Sequence, residues 1–147
     1  MGVQQRVEGF SLLELLLVLV ITVSIVALAS PQISNSLDSI KIKRLSREMT
    51  TSLRATRAHA ISKGKEAVWL LDFKQYHYQY INKTKRYSEK IELSLTTASK
   101  EKLSDTAATI RFFPDGSATG GEIRMSHGKL NYSIQIDWLT GRIKVYD

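Results

Sequence analysis

The hydrophobic pattern changes twice along the chain and so defines three segments, of which the first is apolar on every side of a helix. From Phe10 to Ala29 the only charged residue is Glu14, and three hydroxyl side chains are the only other polar groups. Twenty residues of helix span about 30 Å, the thickness of a bilayer's hydrocarbon core. A buried core helix is the alternative, but a small domain could hardly enclose a helix without a polar face. The pattern therefore predicts a membrane-spanning helix.

After this segment the apolar positions recur in steps of three and four. Pro31 removes one backbone hydrogen bond and predicts a bend or local unwinding, after which the helix resumes. One apolar stripe is suited to packing on a globular domain: Ile42, Leu45, Met49, Leu53, Thr56 and Ala60. On roughly the opposite side lie Ile33, Leu37 and Ile40, which we expect to pack on other subunits. Lys63 followed by Gly64 predicts the end of the helix.

From residue 66 the period becomes two, which predicts half-buried antiparallel strands. Val68 to Leu71 opens the first strand, and Ile91, Leu93 and Leu95 alternate with polar residues. A later strand is predicted from Tyr132 through Ile134 and Ile136 to Trp138. Turn-forming pairs separate the strands: Asp115-Gly116, Gly120-Gly121, His127-Gly128 and Thr140-Gly141. Residues 96–108 are predicted to be the least ordered connection. The predicted fold class is α+β, a long N-terminal helix packed on an antiparallel sheet or sandwich.

Three tyrosines, Tyr76, Tyr78 and Tyr80, are predicted to share one face of the second strand. Such a row can stack nucleic-acid bases, but aromatic side chains on one strand face are more commonly part of a core. We therefore predict a core role for them.

The amino-acid composition excludes some kinds of site, and the charge distribution suggests several kinds of partner. The 147-residue chain has no cysteine, which excludes disulfides and thiolate metal sites. The chain's net charge of +7 equals that of residues 41–65, where eight cations accompany Glu48. A solvated helix face, complementarity to acidic subunits or anionic head groups, and nucleic-acid binding all fit this charge.

No arrangement of residues predicts catalysis. His59, His77 and His127 lack metal-ligand spacing. Ser117 and Ser126 have no convincing base, and the carboxylates are scattered. The segment from Gly116 to Gly121 lacks the lysine and following helix of a phosphate loop, so we expect a hairpin connection there. The sequence thus predicts no enzyme, no cofactor and no metal.

A carboxylate in hydrocarbon normally needs a partner, and Glu14 has no cation nearby. Gly9, Phe10 and Glu14 followed by a long apolar helix resemble the N-terminal signature of type IV pilins and type II secretion pseudopilins. The resemblance implies that a prepilin peptidase and N-methyltransferase cuts between Gly9 and Phe10 and methylates Phe10. It also implies that Glu14 pairs with the Phe10 ammonium of an adjacent subunit, because a buried charge is tolerable when it is paired.

Two observations argue against a pilin-like stem with a periplasmic domain. Arg6, the apolar run and Ala27-Leu28-Ala29 before Ser30 also fit a secretory signal peptide that is removed. Only Arg6 precedes the span as a cation, whereas several cations follow it, so the positive-inside rule would place the following domain in the cytoplasm. Glu14 inside the apolar region argues against the signal peptide, and the pilin resemblance argues for a periplasmic domain.

Two C-terminal motifs narrow the resemblance. "IRFFPDGSATGGEI" at 110–123 and "DWLTGRIKV" at 137–145 are similar to the globular domain of H-type minor pseudopilins, the GspH/FimT group. The resemblance implies a non-enzymatic inner-membrane subunit with its globular domain in the periplasm. Its implied place is near the pseudopilus tip, where it links other minor pseudopilins to the major pseudopilin shaft. The implied segments are a leader at 1–9, a transmembrane half-helix at 10–30, a periplasmic half-helix at 31–63 and a β-rich domain at 64–147.

A FimT-like minor pilin is the alternative within this group. Some of its members bind DNA through a basic Gly-Arg motif, which Gly141-Arg142-Ile143-Lys144 matches in part. Arg142 and Lys144 are therefore candidates for weak contact with an anion or DNA. Lysine replaces the motif's second arginine, so we expect secretion, and no nucleic-acid partner.

Overall fold

The computed structural model describes residues 11–97, 102–104 and 106–147, and describes side chains over 11–27, 39–97 and 106–147. The described chain forms helix α1 (Leu12–Lys63) followed by nine strands. They are β1 (Ala67–Asp72), β2 (His77–Tyr80), β3 (Lys83–Arg86), β4 (Glu92–Thr96), β5 (Lys102–Ser104), β6 (Ala107–Phe112), β7 (Gly121–His127), β8 (Leu130–Ile136) and β9 (Ile143–Tyr146).

Helix α1 begins and ends with local signals in the sequence. The Ser11 hydroxyl accepts a hydrogen bond from the Leu13 amide at 3.3 Å, which caps the first turn. At the other end Gly64 adopts a φ of 60°, and the Lys65 amide donates to the Ala60 carbonyl. This confirms the predicted stop after Lys63. The helix is continuous through Pro31, and the bend predicted there stays a prediction.

The chain divides into two compact units, Met1–Leu37 and Asp38–Asp147. The second unit contains both the lower part of α1 and all nine strands. These strands form two antiparallel sheets, one in the order β3-β2-β1-β6-β5 and the other in the order β4-β7-β8-β9. The α+β class predicted from the change of period is confirmed.

The core of the second unit lies between the stripe of α1 and the strands. All six predicted stripe residues are buried: Ile42, Leu45, Met49, Leu53, Thr56 and Ala60. On the strand side Trp69 is fully buried, stacks on Tyr78 with ring centroids 5.5 Å apart, and donates its indole N–H to the Ser52 hydroxyl at 2.8 Å. The hydrogen bond satisfies the polar atom of the largest core side chain. The same cluster contains Tyr78 with Tyr80 packed against it, which confirms the core role predicted for these two.

Two aromatic residues lie outside the strands predicted for them. Tyr76 occupies the turn before β2 with a φ of 52°, and its ring packs edge-on against Tyr87 rather than beside Tyr78. Trp138 follows the end of β8 and is 66% exposed. In both places the alternating pattern runs on into a turn, where backbone geometry overrides the period.

Two connections also differ from expectation. Part of the predicted loose connection at 96–108 forms β5, which pairs with β6. The segment after β6 makes a local turn with a bridge between Phe112 and Ala118. It then crosses to the other sheet, so the predicted hairpin is limited to this short turn and does not join β6 to β7. β6 and β7 belong to different sheets, and the two glycines allow the change of direction.

Candidate functional site

The described part of the stem, residues 12–27, presents its side chains outward. Large apolar residues here are at least half exposed, from Leu12 at 85% to Ile21 at 50%. Thr22 and Ser24 donate their hydroxyls to the carbonyls of Val18 and Val20 at 2.7 and 2.8 Å, so these polar groups are satisfied within the helix. Glu14 lies exposed in the first turn. Among the described residues no cation pairs with its carboxylate, which therefore remains available to another group.

Gly9 and Phe10, the predicted cleavage and methylation positions, lie outside the described residues. Within residues 11–97, 102–104 and 106–147, no helix has the length and hydropathy of a membrane span. The membrane span at 10–30 and the pairing of Glu14 therefore stay predictions.

In the second unit, one helix residue joins the two C-terminal motifs. Arg57 donates from Nε to the Gly116 carbonyl at 2.9 Å and from one terminal nitrogen to the Thr140 carbonyl at 3.0 Å. Gly116 belongs to the first motif and Thr140 to the second. Because the guanidinium is planar and rigid, the two hydrogen bonds fix both loops against α1 at once. We call this arrangement the Arg57 clamp.

The clamp needs glycine at positions 116 and 141 because a side chain there would collide with neighbouring atoms. Gly141 has a φ of 60°, and a Cβ there would collide with the Gly116 carbonyl oxygen and lie 2.7 Å from Arg57 Nε. A Cβ on Gly116 would lie 2.9 Å from a terminal nitrogen of Arg57. Both positions combine a left-handed backbone with close approach, the conditions that select glycine. The two Gly residues and Arg57 thus form one packed unit.

An aspartate orders each loop of the clamp. Asp115 accepts hydrogen bonds from the Ser117 amide and hydroxyl at 2.9 and 2.6 Å. Asp137 accepts from the Thr140 amide and hydroxyl, both at 2.7 Å. The hydrogen bonds from Ser117, its hydroxyl above all, lower the pKa of Asp115, and those from the Thr140 amide and hydroxyl lower the pKa of Asp137. The charged carboxylates therefore hold the turns that sequence reasoning predicted at these sites.

Both Arg142, directly before β9, and Lys144, within β9, are exposed at the edge of the sheet. Neither side chain forms an ion pair within 4 Å of a described carboxylate, and the charge of Lys144 contributes to the lowered pKa of Asp137. A groove of about 450 Å³ runs between β9 and α1 and is lined by both cations together with Arg54, Arg57, Ile61 and Ile143. The structure thus brings together cations that are far apart in the sequence.

The histidines have separate environments. His77 is buried beside Gln79 at 2.9 Å, and His127 lies 2.7 Å from the Lys90 carbonyl. Over residues 11–97, 102–104 and 106–147, no cluster of three histidine or acidic side chains suits a metal ion.

Sequence reasoning missed the role of Arg57, which it counted only among the cations of the helix. Its signal in the sequence was position, because Arg57 directly follows Thr56 of the predicted apolar stripe. In the structure its side chain is accordingly only partly exposed. A cation beside the apolar stripe indicates a contact with the packed domain rather than a solvated face.

Comparison with known proteins places these features in a family. The model of the type II transport protein GspH matches residues 45–140, which include Arg57, Gly116 and Thr140. The type II secretion system protein H of Xanthomonas campestris pv. campestris is 26% identical over 143 residues, covering 97% of this chain and 85% of that protein. The solved minor pseudopilin EpsH from the type 2 secretion system of Vibrio cholerae has a similar fold, with a TM-score of 0.57 at 11% identity, over 72% of this chain and 96% of EpsH. The family match extends over more than half of the sequence, and the chain belongs to the GspH family of type II transport proteins.

Proposed function

We propose that this chain is a minor pseudopilin, a structural subunit of a type II secretion pseudopilus. In this role it stands near the periplasmic tip and links a complex of other minor pseudopilins to the major pseudopilin shaft. The role is assembly, with no catalytic step and no cofactor. The observation that carries the proposal is the GspH match over residues 45–140, preceded by an exposed apolar stem that contains one acid.

In the proposal the stem is the assembly element. A prepilin peptidase cuts between Gly9 and Phe10, and Phe10 becomes the methylated N-terminus. The stem is held in the inner membrane as a single span, and Glu14 meets the Phe10 ammonium of a neighbouring subunit. Two buried opposite charges are stable together but costly when separated, so this pair would set the axial register of stacked stems. The exposed carboxylate of Glu14, unpaired among the described residues, supports this step.

The central test replaces Glu14 by leucine in cells that carry no other copy of the gene. Glu14→Leu is expected to insert and be processed normally, because it removes a polar group from the apolar segment. Assembly should fail, since the partner ammonium would lose its counter-charge, at a cost of about 3 to 5 kcal/mol. Crosslinks between stems and a secretion assay measure the outcome.

Thr22→Val is the matched control, because its hydroxyl bonds only within the helix. It should assemble and secrete like the unmodified protein. Normal stem crosslinks and full secretion with Glu14→Leu would refute the pairing and leave Glu14 as an interfacial residue.

Processing has its own measurement. Mass spectrometry of membrane-extracted protein should find an N-terminus at Phe10 with one methyl group. A start at Ser30 would instead establish the cleaved signal peptide and a protein without the stem.

A further inference from the structure

The free edge of β9 combines unpaired backbone groups with positive charge. β9 is the last strand of its sheet and pairs only with β8. The Arg142 carbonyl accepts a hydrogen bond from the Asp137 amide at 2.9 Å, which makes this pair a hydrogen-bonded one. In an antiparallel ladder such pairs alternate. Lys144 and Tyr146 therefore bond to β8, whereas the N–H and C=O groups of Ile143 and Val145 point outward. No backbone group within the described residues pairs with that side.

The surroundings of this edge fit an extended guest. The groove between β9 and α1 has a volume of about 450 Å³ and contains the apolar side chains of Ile61 and Ile143. Ile61 is 45% exposed and Val145 43% exposed, so apolar surface is available beside the backbone groups. Arg54, Arg142 and Lys144 line the same groove, which has no acidic residue in its lining.

We infer that β9 is a docking edge for an extended, acidic segment of another protein, which adds to the sheet as a further antiparallel or parallel strand. Backbone hydrogen bonds to Ile143 and Val145 hold the guest, as in other cases of strand addition. Carboxylates on the guest meet Arg54, Arg142 and Lys144, and these contacts select acidic partners and speed their association. A second copy of this chain suits the edge poorly, because the chain's net charge is +7.

Lysines on an edge strand can also prevent unwanted pairing, and exposed arginine and lysine can bind DNA. Both alternatives explain the cations, but neither requires exposed apolar side chains such as Ile61 and Val145 beside outward backbone groups. They differ from strand addition in measurable ways.

The test uses the full chain in detergent and a labelled peptide of about eight residues that alternates valine with glutamate. The peptide should bind and should slow amide hydrogen exchange at Ile143 and Val145. A counterpart with lysine in place of glutamate should bind at least about tenfold more weakly. Failure of the acidic peptide to bind, or equal binding of the two peptides, would overturn the inference.

Val145→Pro removes one outward donor while leaving the bonds to β8 intact, a substitution that edge strands tolerate. Loss of one of the few backbone hydrogen bonds to the peptide should weaken the binding of the acidic peptide about tenfold. Unchanged affinity would show that the peptide does not pair with β9, and would refute strand addition.

The charge contribution is tested with Arg142→Glu combined with Lys144→Glu, which should reverse the preference between the two peptides. The matched control is Lys83→Glu combined with Lys85→Glu on β3, the exposed edge strand of the other sheet. The control should leave the affinity unchanged, and an equal effect of both double variants would mean attraction by net charge alone.

Two competing occupants have distinct signatures, and each would overturn the inference. Protection of Ile143 and Val145 that rises with protein concentration without peptide would assign the edge to a second copy. Duplex DNA that displaces the acidic peptide and binds more tightly at physiological salt would assign it to nucleic acid. The assay does not involve secretion, and Glu14→Leu protein should bind the peptide normally, so failure of the pseudopilin assignment and failure of this inference are distinguishable.

Discussion

Two parts of the same helix behave oppositely. Over residues 12–27 the large apolar side chains are at least half exposed, whereas the six stripe residues between Ile42 and Ala60 are at most 6% exposed. The first part is more apolar than the second. Burial within the chain therefore follows the arrangement of apolar residues, not their number. A stripe that repeats every three or four residues has one face to place on a sheet, and a uniformly apolar segment has no such face.

The largest expected effect comes from truncating one leucine in each part. Leu53→Ala removes a fully buried side chain and should lower the free energy of unfolding by about 2 to 5 kcal/mol. Leu16→Ala removes a side chain that is 59% exposed, and should change the unfolding of the second unit by less than about 0.5 kcal/mol. Urea unfolding of the full chain in detergent, followed by near-ultraviolet circular dichroism, measures both. Equal losses would contradict the contrast between the two parts.

A second pair of variants separates backbone strain from crowding in the Arg57 clamp. Gly141 and Gly128 both have a φ of 60°, but only Gly141 has neighbours within reach of an added Cβ. Gly128→Ala should cost about 1 to 2 kcal/mol from the left-handed backbone alone. Gly141→Ala should cost about 1 to 3 kcal/mol more, because the added carbon overpacks the contact with Gly116 and Arg57. The same urea titration measures the loss of unfolding free energy in each variant. Equal losses would show that Gly116 and Arg57 move aside without measurable cost.

A third comparison concerns two arginines one turn apart on α1. Arg57→Ala leaves the Gly116 and Thr140 carbonyls without their donor and should cost about 1.5 to 3 kcal/mol. Arg54→Ala, whose exposed side chain has no partner among the described residues, should cost less than about 0.5 kcal/mol. Arg57→Lys should fall between them, because an ammonium cannot reproduce the planar fork. Equal stability of all three variants would mean that the clamp contributes nothing measurable.

The sequence was informative where a period repeats over several turns. The stripe from Ile42 to Ala60 and the end of the helix after Lys63 followed from spacing and from Gly64 alone. The motifs around Asp115 and Thr140 predicted turns and a family, and the GspH match confirms the family.

Contacts between distant segments could not be predicted in the same way. Nothing local to Arg57 indicates that residues 59 and 83 positions later supply its acceptors. The edge position of β9 depends on the order of strands in the sheet, which follows from tertiary packing. Trp138 and Tyr76 show that local patterns also mislead at the ends of strands. In both places the period of two continues into residues that form a turn.

The smallest expected effect is a pH dependence confined to the second loop of the clamp. The hydrogen bonds from Thr140 lower the pKa of Asp137, so its carboxylate is favoured in the folded protein. The stabilisation is complete above the ordinary carboxyl pKa and is lost as the pH falls through the lowered value. Amide exchange at Thr140, whose N–H donates to Asp137 Oδ1, should therefore accelerate relative to its intrinsic rate on acidification below about pH 4. Asp137→Asn should abolish this dependence because an amide does not titrate, whereas Asp115→Asn in the first loop should retain it. Protection of Thr140 that falls equally with pH in the protein with Asp137→Asn would show that other carboxylates control the loop, and that the clamp depends on Arg57 and the glycines alone.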